Sequence, residues 1–266
     1  SEATLAFSVE FGEHYNLDLY FLKGPAMGNF KVSGIKGKEN ILPFKSEIFE
    51  GYSSEKTIAK LTLKNIRLQS GENEINFQVT GKAARSDGMD LAFVGMTLSP
   101  SSRRFIKEWN LIGPFDAPDM SYLQTAFPPE HELNLKKIYK GKNNLELQWR
   151  KIQTKVSGFV NLAGLLEPNE QAIAYGLAYV FSPEHLKAHL LIGSDDGVRI
   201  WLNNELIHSN PAYRGAYPDQ DTIPVELRKG WNTLLVKVLQ GGGGWGFYVR
   251  FIDPEGILRA STEIKK

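Results

Sequence analysis

The chain of 266 residues contains no cysteine. Disulfide staples, thiolate nucleophiles and thiolate metal sites are therefore excluded. Charge of one sign is also missing: 31 Lys and Arg stand against 30 Asp and Glu. A nucleic-acid surface needs a basic excess to displace counterions from phosphates, so that partner class is not expected. No run approaches the ~20 apolar residues of a membrane span. Gly-x-Ser-x-Gly, a Walker loop, His-Glu-x-x-His and the dinucleotide-binding glycine pattern are all absent. Histidine is scarce, and of its five positions only His185 and His189 share a ligand-like spacing. Those two fall where a helical turn is expected to give way to a strand, with His189 alternating into the apolar run, so structural roles are expected for both. The first residues, Ser1-Glu2-Ala3-Thr4, have neither a basic nor an apolar leader pattern. Because Leu5 already opens a strand pattern, the sequence reads as a piece of a longer protein.

What is abundant is alternation. Leu5, Phe7, Val9 and Phe11 alternate with small or polar residues, as do Tyr15, Leu17, Leu19 and Phe21, then Ile75, Phe77 and Val79. Later come Ile173 to Phe181, Val198 to Leu202, Leu234 to Val238 and Phe247 to Phe251. A period of two marks half-buried strands, and the Gly- and Asn-rich turns between them suit sandwiches. Hydrophobic residues make up 42% of the chain, enough for a sizeable core. The predicted fold class is all-β, with two tandem antiparallel jelly-roll sandwiches over 1–100 and 109–266. A polar, aperiodic linker at 101–108, including Ser101-Ser102-Arg103-Arg104, separates them. The second module carries an irregular excursion over 116–142 and a predicted helical turn at Ser182-Pro183-Glu184-His185.

One internal echo links the halves. Residues 66–79 and 225–238 align without gaps, both reading apolar-x-apolar, two polar residues, Gly-x-Asn and an alternating strand. Gly-x-Asn suits a tight turn, since Gly admits positive φ and Asn bonds its own backbone. A shared core topology is expected.

Four features bear on chemistry. Asp195 and Asp196 are adjacent carboxylates on a turn, whose repulsion a cation, turn amides or a basic side chain must offset. They are the candidate Ca²⁺ or sugar-hydroxyl ligands; the alternative is an Asx-type turn with solvated carboxylates. Trp201 lies on the strand face opposite Val198, Ile200 and Leu202, either as a sugar platform or covered by the 116–142 excursion. Trp245 follows four glycines, 241–244, and is either a platform or a plug at the end of the sandwich; Tyr248 is close by. The loop from His208 to Asp221 offers Tyr213 and Asp219 as groups for a polar ligand, or is a plain surface loop.

The run Gly193 to Asn203 resembles the acidic-turn strand pair of protective-antigen-like sugar-binding sandwiches, and also the Val-Trp-Leu-Asn-Gly hairpin of the sugar-binding jelly rolls in β-galactosidase-like glycosidases. Asn204 stands where the latter often have Gly. With Pro218-Asp219-Gln220-Asp221 and Gly230-Trp231-Asn232, the C-terminal half is similar to accessory sandwiches of bacterial polysaccharide-degrading proteins. The N-terminal half, with Tyr20 to Pro25 and Val79 to Lys82, is similar to a galactose-binding-like jelly roll of the same proteins. In the protective-antigen-like adhesins, adjacent Asp residues in a particular cis geometry hold Ca²⁺, with further ligands from another loop. The resemblance places Asp195 and Asp196 at that position, and Ala26 and Met27 where the first module lacks it. It implies a non-catalytic carbohydrate-binding or accessory region of a secreted, periplasmic or cell-surface bacterial protein. No cofactor is then required and Ca²⁺ is admissible, while the partners are a poly- or oligosaccharide and the catalytic domain of a longer parent chain. The competing readings are a purely structural module packed on a catalytic domain, and a glycoside hydrolase with an unrecognised carboxylate pair.

Overall fold

A computed structural model describes residues 2–36, 41–42, 47–101 and 103–265. Ser1, at the start of the chain, and Ser102, in the expected linker, lie outside the described residues. The architecture is all-β and antiparallel, and the chain divides into two compact units, Ser1–Arg103 and Arg104–Lys266. Among the described residues no helix is long and apolar enough to cross a membrane.

The first unit holds β1 (Glu2–Val9), β2 (His14–Lys23), β3 (Asn29–Lys36), β4 (Ile41–Leu42), β5 (Thr57–Arg67), β6 (Gly71–Gly81) and β7 (Phe93–Pro100). They form two sheets, ordered β1-β6-β3-β4 and β5-β2-β7. The alternating residues do what their period demands. Leu17, Leu19 and Phe21 from one sheet meet Phe30, Val32, Ile75 and Phe77 from the other in a single core. Full burial of each such side chain contributes roughly 1.5–3 kcal/mol. Phe11 falls beyond the end of β1, in a bend.

The second unit holds β8 (Glu108–Asp116), β9 (Tyr139–Lys140), β10 (Glu146–Leu147), β11 (Arg150–Gln153), β12 (Val160–Asn161), β13 (Ala172–Ser182), β14 (Leu186–Asp195), β15 (Val198–Leu202), β16 (Glu205–Asn210), β17 (Asp221–Leu227), β18 (Gly230–Gln240), β19 (Gly246–Phe251) and β20 (Arg259–Ser261). One sheet runs β11-β8-β13-β18-β15-β16, with β20 also on β13; the other runs β12-β19-β14-β17. Within these, β13-β18-β15-β16 has the neighbour order of β1-β6-β3-β4, and β17-β14-β19 that of β5-β2-β7. The echo in the sequence thus corresponds to a repeated topology.

Its anchor is an asparagine. The Asn73 amide accepts from the Gln69 N–H and donates to the carbonyls of Gln69 and Gly71. Asn232 does the same with Arg228 and Gly230. The glycines between have φ of +94° and +95°, a conformation that costs an L side chain strain. Buried Asn side chains close both turns that carry the chain from one sheet to the other, before β6 and before β18.

β13 is buried on both faces, and its side chains sort by size. Ala172, Ala174, Ala178 and Val180 point into the core between the sheets, with Trp109, Trp245 and Phe247. The larger Ile173, Tyr175 and Leu177 point outward. That outer face is covered by the 116–142 excursion and its continuation, which contribute Leu123, Tyr139, Leu147 and Trp149. The excursion is ordered by local devices: a 3₁₀ turn at Met120–Leu123 whose Asp119 carboxylate accepts from the Ser121 N–H, and a single helical turn at Pro128–His131. The helical turn expected at Ser182–His185 does not form. β13 runs to Ser182, whose buried hydroxyl donates to the Glu184 carbonyl and closes a bend instead.

Candidate functional site

The acidic turn connects β14 to β15 and is stitched to β18: the Asp196 N–H donates to the Leu239 carbonyl, and the Leu239 N–H to that of Gly197. The peptide bond between Asp195 and Asp196 is cis. The two carboxylates have different surroundings. Asp196 is 7% exposed, and its oxygens accept from two loops, Oδ1 from the Arg214 N–H at 2.9 Å and Oδ2 from the Gly241 N–H at 2.8 Å. Asp195 is half-buried and accepts from the Ala216 N–H. Burial first, then the Asp196 charge, raises its carboxyl above the ordinary aspartate value.

The loop between β16 and β17 is pinned beneath its outer surface. The Arg214 guanidinium grips Asp221 in a bidentate pair, at 3.0 Å and 2.5 Å, and also donates to the Ser194 hydroxyl. His208 and Asn210 share the same carboxylate. Burial pushes Asp221 up, but the Arg214 and His208 bonds and charges outweigh it and hold the carboxyl below its ordinary value. Gln220 accepts from the Ser194 N–H and donates to the Gly215 carbonyl. Tyr213 and Tyr217 are left outside, 66% and 70% exposed.

The glycine loop completes this end of the sandwich. A side chain at Gly244 would reach within 2.5 Å of Asp195 Oδ2, and one at Gly241 within 2.7 Å of the Tyr213 ring. Bare backbone is what lets the carboxylate and the tyrosine approach the loop.

The expected site residues therefore separate. Asp195, Asp196 and Tyr213 meet at the loop end. Asp219 lies in the same loop, but its carboxylate is held by Arg250 in a bidentate pair at 2.8 Å and 3.0 Å, which leaves it a structural role. Tyr248 is half-buried between Phe105 and Phe159, with ring centroids 5.4 Å and 4.9 Å away. Trp201 is partly covered, with the Arg199 guanidinium 5.2 Å from its ring centroid. Trp245 is 1% exposed, in the core, with its indole donating to the Val238 carbonyl; no face is open to a ligand. The sequence reading placed Tyr217, Arg214, Gln220 and Asp221 in the candidate loop but did not separate the exposed tyrosine from the pinning residues. A Pro- and Gly-broken loop has no period from which to tell anchors from exposed groups.

The raised Asp195 carboxyl sets a pH expectation. A group whose folded-state value is raised contributes stability below its unfolded value, and that contribution is lost as pH rises through the folded value. At neutral pH the charged Asp195 is thus a cost. Asp195→Asn is expected to melt above the parent at pH 7, with the gap closing as pH falls below about 4. Thermal denaturation at both pH values, without divalent ions, checks this; a gap that widens on acidification contradicts it.

No protein-family profile matches the chain, and no curated protein does. Among solved structures, the chain is similar to an anti-sigma factor domain-containing protein, with 12% identity, a TM-score of 0.35, and 97% of this chain and 80% of that one covered. It is also similar to a xanthan lyase from Paenibacillus, with 8% identity, a TM-score of 0.32, and 93% of this chain but 22% of the lyase covered. A third neighbour is the lectin of Pleurotus ostreatus in its apo form, with 11% identity, a TM-score of 0.25, and 100% and 78% covered.

Proposed function

We propose that the second unit is a non-catalytic carbohydrate-binding module whose site is the loop end formed by Asp195, Tyr213, Tyr217 and the glycine loop. The observation that carries this reading is the pair of largely exposed tyrosines on a pinned loop beside a desolvated carboxylate. Aromatic rings stack on the C–H faces of sugars, and a fixed carboxylate accepts from their hydroxyls. Pinning by Asp196, Asp221 and Gln220 means little loop ordering is needed on binding.

Ca²⁺ fits this site as a partner of the acidic pair. Asp195 is a carboxylate whose charge a cation would offset, and Asp196 brings a second beside it. Among the described residues no group of three or more acidic or histidine side chains is placed to hold a metal ion, so most of the ~6–8 oxygens that Ca²⁺ takes would be carbonyls, water or sugar hydroxyls. The module is proposed to serve a catalytic domain of a longer parent chain, in a secreted, periplasmic or cell-surface setting.

Affinity electrophoresis against soluble polysaccharides tests the reading. Retardation by at least one glycan is expected, weakened tenfold or more in Tyr213→Ala/Tyr217→Ala, since each stacked ring is worth about 1 kcal/mol. Loss on chelation would assign Ca²⁺ to the acidic pair. No retardation, or retardation unchanged in the double variant, defeats the site.

A further inference from the structure

We infer that the second unit has another binding site, a small cleft against Trp201 that takes a single neutral sugar ring. The cleft lies where the helical turn Pro128–His131 leaves part of the outer face of the large sheet uncovered. It is about 260 Å³ and is lined by Glu130, His131, Glu132, Trp201, Asn204 and Thr233 among others. That is below the ~300–1,000 Å³ of drug-sized sites, so it suits one ring and not a chain.

Its central acceptor is held in place. The Glu130 carboxylate is locked: its Oε1 accepts from the Tyr175 hydroxyl at 2.5 Å and the Lys237 ammonium at 2.9 Å. All the bonds Glu130 makes among the described residues go to Oε1, and the carboxylate, 8% exposed, borders the cleft. Trp201 is partly exposed and lines the same cleft. The Arg199 guanidinium lies 5.2 Å from the indole centroid. A flat aromatic wall, one fixed acceptor and nearby amide and hydroxyl groups match the C–H face and neighbouring hydroxyls of a pyranose.

The charge balance selects a neutral ligand. Glu130 is paired with Lys237 at 2.9 Å, and Glu132 with Lys137 at 2.8 Å. An ionic ligand would find both carboxylates already compensated and would lose its own hydration for little return. This cleft is separate in its residues from the loop end, and either site can fail alone.

The test is an indole N–H NMR titration of the whole chain with glucose, galactose and mannose in the millimolar range. The five tryptophans give five expected indole signals, and Trp201→Phe identifies the relevant one. The expected result is a saturable shift of the Trp201 signal with at least one of the three, and no tighter binding of glucuronate or glucosamine. Asn204→Gly, which keeps the positive φ of this position, and Thr233→Val each remove one hydrogen-bonding group. Each is expected to weaken binding about fivefold. An unmoved Trp201 signal, tighter binding of a charged sugar, or unchanged affinity in both variants would overturn the inference. Polysaccharide retardation reads the loop end alone, so retardation without an indole shift removes the cleft and leaves the loop-end site standing.

Discussion

Lys237→Met is expected to destabilise the second unit by about 3–5 kcal/mol, the usual cost of breaking a buried ion pair from one side. Lys237 is 0% exposed and its partner Glu130 8%, so neither charge has water to fall back on. The ammonium donates to the Thr125 carbonyl at 2.6 Å and to Glu130 at 2.9 Å, and it lies 5.1 Å from the Phe127 ring centroid and 5.8 Å from that of Tyr175. Thr125, Phe127 and Glu130 all belong to the excursion, while Lys237 and Tyr175 belong to the sheet. The pair thus fastens the excursion to the strands beneath it. Burial lowers the Lys237 ammonium from its ordinary value, with the Glu130 bond and charge pulling the other way. A lowered folded-state value means stability rises as pH climbs through it toward ~10.4, where the unfolded lysine also loses its proton. Removing both charges is therefore expected to be mild: Lys237→Met/Glu130→Gln keeps an acceptor for the Tyr175 hydroxyl and recovers most of the loss. Urea unfolding of the three proteins decides it. A single variant within 1 kcal/mol of the parent, or a double variant no better than the single, would show that the pair is not what holds the excursion.

The sequence made the strands legible because burial on one face imposes a period of two, and nearly every alternating run lies in a strand. The repeated topology was legible for a sharper reason: a Gly at positive φ followed two residues later by a buried Asn is a geometric requirement, met at Gly71 and Asn73 and again at Gly230 and Asn232. Two things were not legible. Alternation does not say which of two buried faces is the inter-sheet core, so the larger residues of β13 pack under the excursion while its alanines face the second sheet. Nor does sequence say whether an aromatic residue beside glycines is open. Four bare glycines suggest access, yet what they admit is the protein's own Tyr213 ring and Asp195 carboxylate. Tyr217 and the Arg214–Asp221 pair lie in a loop without period, where only the fold distinguishes a pinned side chain from a free one.

Trp245→Ala is expected to cost the second unit about 3–5 kcal/mol of stability, the range for removing a large aromatic side chain from a core. Its indole packs in the core between the two sheets, the Nε1–H reaching the Val238 carbonyl at 3.3 Å, and its own carbonyl accepts from the Ala163 N–H at 3.1 Å. Truncation therefore opens a cavity and removes a buried hydrogen bond at once. For a unit of this size each kcal/mol moves the midpoint by ~2–4 °C, so a fall of ~6–20 °C is expected. The informative comparison is with Tyr213→Ala, where a ring 66% exposed is removed and the midpoint should move by less than about 1 °C per few tenths of a kcal/mol lost. Below its own midpoint, the Trp245 variant should still be retarded by any glycan that retards the parent, whereas the tyrosine variant should melt normally and bind weakly. If instead Trp245→Ala melts with the parent and loses the glycan, the indole is a ligand platform, and the loop end must open beyond the closed form described here.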